Sequence, residues 1–385
     1  AATKQVAPSH HAAPLHPADA PLREWLSKEV PEPILEPDLP IVDPHHHLWD
    51  YSAIPALSPD DLDHHIPKRM DFFAQKVYLA DEALEDFAGR QADRHNVVAT
   101  IFAQCGSFYD KAAPEHMQPV GEVRRVREMA AEVAADGGCA SSSLCSVRLA
   151  HGIMGTCDLA LPREKLGEAL DAMLRFPGFR GVRCSPPYGD AFAEGGEHAA
   201  SLDLLVERAL VLDIWHSPRP RYDPEALVEF KRLALRRPDL AVVLDHMGGA
   251  VGPGMVDDEG DLAAARNRWA SELRSIAAEC PNVYCKIGGS LMVANGFHLH
   301  RRAAPISSAE LAELLLPWWG AAIDAFGPER CMFESNFPVD KGQVSYRTLW
   351  NAFKRVAASK GLDEAGKRMI FAGTAIKVYG LDLDV

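Results

Sequence analysis

Eight short apolar runs alternate with amphipathic stretches along this chain, and that alternation restricts its fold more than any other feature. The runs are 41–45, Asn96–Ala103, Ser146–Ile153, Phe179–Cys184, Leu210–His216, Ala241–His246, Val283–Ile287 and Cys331–Ser335. Between them, Glu122–Ala135, Arg163–Phe176, Pro224–Arg237 and Asp261–Glu279 carry apolar residues at the period of a helix. Ser308–Phe326 does so if Pro317 is accommodated as a kink or break. Neighbouring parallel strands need a crossover, and a helix supplies it, so the pattern predicts βαβ units. Eight units in about 345 residues fit an α/β fold of the (β/α)8 TIM-barrel type. A doubly wound open sheet is the alternative, but no GxGxxG or phosphate-cradling loop follows an early strand. One barrel domain is therefore expected over 41–385. Residues 1–40 are rich in Pro, Ala and His, lack a sustained period, and read as an irregular N-terminal arm in which only Leu22–Val30 suits a short helix.

Five of the runs end in chemically capable residues: His45 and His47, Arg183, His216, His246, and Glu334 with Asn336. The C-terminal strand ends of such a barrel form its active face, and a chance scatter of histidines would not favour them. The richest stretch is Ile41-Val42-Asp43-Pro44-His45-His46-His47-Leu48-Trp49-Asp50. On an extended strand His45 and His47 share a face and His46 takes the other, so two imidazoles stand ready for adjacent positions on one metal ion. By the same parity, Glu334 lies one layer beneath Asn336, and Asp43 one layer beneath His45. His246 would polarise a substrate carbonyl, with Asp245 on the opposite face. Arg183 would hold a substrate carboxylate or pair with a loop acid. Lys286 either lines the same mouth or reaches solvent. Cys105 and Cys184 read as packing residues, Leu291–Ile306 as a long solvated loop, and the His64–His65 pair as polar surface.

Composition removes several classes of function. The net charge of −14, with no basic run, argues against nucleic acid or an anionic membrane as partner. No apolar run approaches the roughly 18 residues of a membrane span. The eight cysteines show no CxxC pair, which fits reduced thiols and a cytoplasmic protein rather than a disulfide framework. The sequence begins at Ala1 and not at methionine, which leaves a preceding leader open.

With these residues in view, the chain resembles the amidohydrolase-2 family of the amidohydrolase superfamily. The similar branch is that of 2-pyrone-4,6-dicarboxylate lactonase and the sugar-lactone hydrolases. The resemblance spans roughly 41–382. It rests on Asp43–Asp50, Gly181-Val182-Arg183, Val243–Gly249, Phe326–Pro338 and Phe371–Ala375. It implies a (β/α)8 barrel and hydrolysis at a carbonyl, with some relatives decarboxylating aromatic or unsaturated acids. The family's His-x-His maps onto His45 and His47, its sixth-strand histidine onto His246, and its fourth-strand arginine onto Arg183. Its fifth-strand histidine maps onto His216, with the register open by a residue or two. Where the family usually has Asp, this chain has Asn336. An amide can offer its oxygen to a metal but cannot act as a general base.

The resulting expectation is a hydrolase of a lactone or related ester of a small, carboxylated molecule. One divalent ion, zinc by first choice, would sit on His45, His47, His216 and Asn336, although the pyrone-lactonase type is understood to work without metal. His246, Asn336 and Glu334 are the catalytic candidates, Glu334 as base or as an orienting group. Arg183, His216 and Lys286 are the substrate-binding ones. A metal-dependent decarboxylase and a non-catalytic ligand-binding barrel are the alternatives, and a homodimer is suggested by family habit.

Overall fold

The computed structural model describes residues 19–52, 75–88, 94–135, 147–185, 199–215 and 225–385. Eight strands pair in parallel and in chain order: β1 (Pro40–His46), β2 (Asn96–Ala103), β3 (Arg148–Gly155), β4 (Phe179–Cys184), β5 (Val211–Ile214), β6 (Val242–Leu244), β7 (Val283–Ile287) and β8 (Cys331–Phe333). The two outer strands meet just beyond the end of β8. Asn336 N donates to His45 O at 2.9 Å, and His47 N donates to Phe337 O at 2.7 Å. The barrel thus closes at the His-rich end of β1.

Alternation along the strands sorts their side chains. Val42, Ala99, Ile101, Met154, Val211, Val243 and Met332 form an inner apolar cluster with Ala372, Ala375, Tyr379 and Leu381. The C-terminal segment therefore plugs the N-terminal end of the barrel. Ile41, Phe102, Ile153, Val182, Leu212 and Leu244 instead join the layer beneath the helices. Those helices are α2 (Ala80–Ala88), α3 (Val120–Ala135), α4 (Arg163–Leu174), α5 (Ala199–Glu207), α6 (Glu225–Arg236), α7 (Glu259–Glu279), α8 (Ser308–Phe326) and α9 (Tyr346–Ser359). Helix α8 continues through Pro317 and starts at a capping box made by Ser307 and Glu310. Among the described residues no helix is long and apolar enough to cross a membrane.

The arm forms α1 over Ala20–Leu26, two residues earlier than the sequence suggested and ending sooner. Beyond it the chain runs across the starts of α8 and α9. Glu29 accepts from the hydroxyls of Ser345, at 2.7 Å, and Thr348. Glu32 accepts from the backbone N of Ser308 at 2.6 Å and from its hydroxyl. Lys354, on α9, donates to Leu35 O at 2.6 Å. Carboxylates at helix N-termini are favoured by the unpaired N–H groups and the dipole there. The arm is thus a strap fixed to the two helices that flank β8. Replacing both Glu29 and Glu32 with Ala should lower the unfolding free energy by about 1–3 kcal/mol in urea titrations, with thermal unfolding shifted in the same direction.

Candidate active site

The histidine stretch does not keep strict alternation. The pairing register shifts between Asp43 and His46, across Pro44, and this resets which side chains face inward. Val42 is inside, whereas Asp43 turns outward to accept from Ser335 N at 3.0 Å and from Tyr346 OH at 3.0 Å. His45 and His47 then face the barrel interior, with ring centroids 5.0 Å apart. His46 faces outward onto Phe87 and Phe102, its Nε2 taking the Thr100 hydroxyl at 2.9 Å. The expectation that Asp43 lies beneath His45 is corrected by that irregularity.

A second break occurs after β6. The strand ends at Leu244, and His246 (φ 55°) and Met247 (φ 56°) adopt left-handed backbone. Asp245 and His246 consequently both face inward, and Asp245 does not take the opposite face that alternation implied. Glu334 holds the kink, its Oε1 accepting from both His246 N at 3.1 Å and His246 Nδ1 at 2.6 Å. Room for the ring comes from Gly289 (φ +57°), where a Cβ would lie 2.1 Å from His246 Nδ1.

The floor of the site is ionic. Lys286 Nζ lies 2.6 Å from Asp213 Oδ2, 3.1 Å from Asp245 Oδ1 and 3.3 Å from His45 Nδ1, with all four residues fully buried. Tyr379 OH, rising from the C-terminal plug, donates to Asp213. Burial pulls the Lys286 ammonium down, but Asp213 and Asp245 outweigh it and lift it to about 12. Burial likewise raises Asp213, to about 7. Asp245 is pushed up by burial yet held well below the usual carboxylate range by Lys286, His45 and Arg183. Lys286 is therefore a structural cation beneath the imidazoles and not a mouth residue. Arg183 is committed as well, with Nε on Asp245 Oδ2 at 2.8 Å, Nη1 on Gln104 O at 3.2 Å, and the guanidinium 5.0 Å from the Trp215 ring. Its partner acid sits in the turn that follows β6, two strands away.

Above this floor three imidazoles converge. His45 Nδ1 lies 2.9 Å from Glu334 Oε2, and its ring centroid is 4.7 Å from that of His246. One ring nitrogen each of His45 and His246 and one oxygen of Glu334 lie within 4.8 Å of one another, close enough to hold a metal ion. The short separations decide the role of Glu334. Ligand atoms on one tetrahedral ion at about 2.1 Å stand roughly 3.4 Å apart, so contacts of 2.6 and 2.9 Å are closer than shared ligation sets them, and the first is a hydrogen bond. Glu334 takes the Nδ1–H of His246 and turns that ring's Nε2 away from itself, while His45 Nδ1 lies between Glu334 Oε2 and the Lys286 ammonium. Burial would push its carboxyl up, but His246 and His45 pull it below the usual range. Among the described residues His45 Nε2 is buried without a hydrogen-bond partner. His47 donates Nδ1–H to Ala103 O at 2.7 Å, so its Nε2 is a bare acceptor, yet it faces Asn336 Oδ1 at 3.3 Å. The amide cannot present its NH₂ there, because Nδ2 donates to Asp340 Oδ1 at 2.9 Å. Two acceptors facing each other at ligand spacing, beside an orphaned imidazole nitrogen, fit a cation. Burial holds His45 and His47 below their ordinary value, which favours the neutral rings.

A family model described as amidohydrolase matches residues 42–381. The chain belongs to the amidohydrolase family. An uncharacterised protein, y4mH, of Sinorhizobium fredii is 28% identical over 367 residues, covering 89% of this chain and 99% of that one. The L-fucono-1,5-lactonase of Burkholderia multivorans is 31% identical over 240 residues, 62% of this chain and 74% of that enzyme. A solved amidohydrolase from Burkholderia multivorans with bound zinc superposes with a TM-score of 0.61 at 25% identity, covering 89% of this chain and 99% of that one.

Of the residues singled out in the sequence, His45, His47, Arg183, His246, Lys286, Glu334 and Asn336 all reach this amidohydrolase's strand-end cluster, with Lys286 as its floor. His216 lies outside the described residues. Sequence reasoning missed Asp213, Tyr379 and Asp340. Asp340 follows Asn336 by four residues, accepts from Leu291 N at 3.2 Å, and is pushed by burial to about 7. Leu291–Ile306 is a packed loop and not a solvated one, pinned by Gln343 to Leu291 O and Leu299 N and by Asn295 Nδ2 to Gly289 O. Glu122 was read only as the start of a helix. It is buried, receives Cys105 N and Ser107 N, and fixes the segment after β2. The described cysteines are free thiols, and burial raises those of Cys105 and Cys184, in keeping with a packing role.

Two outcomes follow for the buried charges. Lys286→Met should cost about 3–5 kcal/mol, read as a fall in thermal unfolding temperature, because it leaves Asp213 without a cation and Asp245 with Arg183 alone. Burial raises Glu122 from 4.5 to about 7, so the folded state binds its proton more tightly than the unfolded chain does. Its contribution is intact below pH 4.5 and is lost as pH rises to 7. Glu122→Gln should therefore gain on the wild type by up to about 3 kcal/mol across that window in urea titrations at stepped pH.

Proposed function

We propose that this amidohydrolase opens a neutral, hydroxylated lactone by water attack at the carbonyl, with a divalent ion, zinc by first choice, held by His45, His47 and Asn336. The observation that carries the reading is the acceptor-to-acceptor contact of His47 Nε2 and Asn336 Oδ1 beside the orphaned His45 Nε2. Support comes also from the lactonase relative, whose name states a sugar lactone, and from the zinc-bound neighbour. Bound among these atoms, the ion would polarise the lactone carbonyl as a Lewis acid.

The proton work falls to His246. Its Nδ1–H is held by Glu334 at 2.6 Å, which fixes the tautomer and leaves Nε2 as the acceptor. His246 Nε2 takes a proton from the attacking water as the new C–O bond forms. The ring C–O bond then breaks, and the same proton passes to the departing oxygen, giving the hydroxy acid. Asn336 needs no basicity in this scheme, since its amide is oriented by Asp340.

A carboxylated substrate would need a free cation at the mouth. Among the described residues, Arg183 and Lys286 are the site's cations and both are engaged by buried acids, which favours a neutral molecule over the carboxylated one expected from the sequence. The same commitment weighs against the decarboxylase of an aromatic or unsaturated acid.

The test is metal content of the purified protein together with activity on hydroxylated five- and six-membered lactones, before and after chelation. Wild type should hold near one ion per chain and lose activity on chelation, and His45→Ala/His47→Ala should lose both. His246→Gln should keep metal but lose about 10²–10⁴-fold in kcat. Glu334→Gln should weaken metal affinity about 10–100-fold. Metal and activity both unchanged in the double variant would overturn the reading.

A further inference from the structure

The N-terminal end of the barrel, opposite the imidazoles, gathers cations that the chemistry above does not use. Two strand irregularities set them there. Between β2 and β3, Ala99 pairs with Arg148 and Ile101 with Gly152, so Leu149, Ala150 and His151 together oppose Thr100. Ala150 takes left-handed backbone (φ 44°) in this bulge, and its N–H donates to the Thr100 hydroxyl at 2.9 Å. Between β3 and β4, Ile153 and Met154 pair with Phe179 and Gly181, which leaves Arg180 as an extra residue. A Cβ at Gly178 (φ +95°) would lie 2.8 Å from His151 O, so the two irregular stretches are pressed together. Bulges re-aim side chains, and left-handed backbone at a residue other than glycine persists only where its surroundings hold it.

The charges brought together here lack acids. Burial first, and then Arg148, Arg180 and Arg127 of α3, hold the His151 ring below its ordinary value. Arg148 Nη1 donates to a neutral carbonyl, Asp382 O, at 3.0 Å, and Arg180 Nη1 to Phe179 O at 3.2 Å. Among the described residues no carboxylate pairs with Arg127, Arg148 or Arg180. Burial pulls Arg180 down, and no acid raises it again. Arg180 Nε and His151 Nε2 are both buried without a hydrogen-bond partner, which an arginine merely solvated at the barrel rim would not show. A guanidinium cannot give up its proton at any working pH. The cluster therefore cannot neutralise itself, and gathering like charges away from water is costly unless a counter-charge joins them.

The free atoms specify the counter-charge. Arg180 spends Nη1 on its own strand, which leaves the Nε–Nη2 edge, a two-pronged donor matched to an oxyanion. His151 Nε2 stands in the same cluster and can share a proton with the same group. Three permanent charges exceed the single charge of a carboxylate, whereas a phosphate group carries about two at neutral pH.

We propose that Arg127, Arg148, His151 and Arg180 form a binding site for a phosphate-type oxyanion, either the free ion or the terminal group of a small phosphomonoester. The site lies at the other end of the barrel from the imidazoles and does not depend on the lactone reading.

The experiment titrates inorganic phosphate, methyl phosphate, acetate and chloride into the protein at one ionic strength, at a pH above the second phosphate pKa of about 6. Thermal unfolding and calorimetric binding are the readouts. In the wild type each tenfold rise in phosphate above its Kd should lift the unfolding temperature by about 2 °C. Phosphate affinity should weaken about 10–100-fold in Arg180→Gln and in His151→Gln. Arg127→Gln, on helix α3, gives the same reading should a strand variant fail to fold. Tighter binding of methyl phosphate points to a phosphomonoester and tighter binding of phosphate to the free ion, and either supports the site. Phosphate affinity unchanged in all three variants places the ion elsewhere, the mouth included, and overturns the proposal. So does a wild type without a phosphate response, or a response that acetate or chloride reproduces.

Discussion

One ammonium group, Lys286 Nζ, sits fully buried between carboxylates from two neighbouring strands, and the arrangement of the site depends on it. A charge taken so far from water persists only where its partners are fixed. Here they come from β5, from the end of β6 and, through Tyr379, from the C-terminal plug. Three distant parts of the chain are thereby registered at one height in the barrel. Asp245, held by Lys286 through one oxygen, offers the other to Arg183. The guanidinium in turn reaches Gln104 O, next to the carbonyl that holds His47. The floor therefore positions the mouth residues through a chain of charge-assisted contacts, each short enough to transmit orientation.

Above the floor, the controlling fact is which nitrogen of each imidazole carries the proton. Glu334 accepts from His246 Nδ1 and Ala103 O from His47 Nδ1, while His45 Nδ1 lies between Glu334 and the Lys286 ammonium. This leaves the His47 Nε2 lone pair facing the Asn336 amide oxygen, and among the described residues nothing satisfies His45 Nε2. An arrangement that concentrates acceptors without donors is costly unless a cation or a substrate hydrogen completes it. The site is thus organised for a ligand, and its division of labour follows from position: His47 and Asn336 at ligand spacing, His246 backed by a carboxylate.

Much of this was legible in the sequence, and the parts that were not share a physical cause. Eight parallel strands could be read because burial on both faces makes each an apolar run, with helical periods between. The strand-end histidines, Arg183 and Asn336 could be read because polar residues interrupting such runs have few other reasons to be there. Glu334 and Asn336 both reach the site, although the strand ends at Phe333 and Asn336 takes left-handed backbone (φ 54°). Parity arguments failed at Asp43, where the register shifts across Pro44, and at Asp245, where left-handed backbone at His246 follows the strand. Asp213, Asp340, Glu122 and Tyr379 acquire meaning only from neighbours at least about a strand away in space, and no local pattern marks them. Lys286 was visible, but not that two acids would claim it.

Asn336 is the departure from family habit that the structure explains most directly. Its Nδ2 donates to Asp340 Oδ1 at 2.9 Å, and Asp340 is anchored by Leu291 N and pinned in a buried position. A carboxylate in place of this amide would set two acids at hydrogen-bond distance with one proton required between them. The amide avoids that conflict, since it donates to the acid with one end and offers an oxygen toward His47 with the other. Asp340 and Asn336 are therefore a matched pair. A carboxylate at 336 would face the acid four residues on, whereas His246 meets its own carboxylate, Glu334, through both its ring and its backbone N–H.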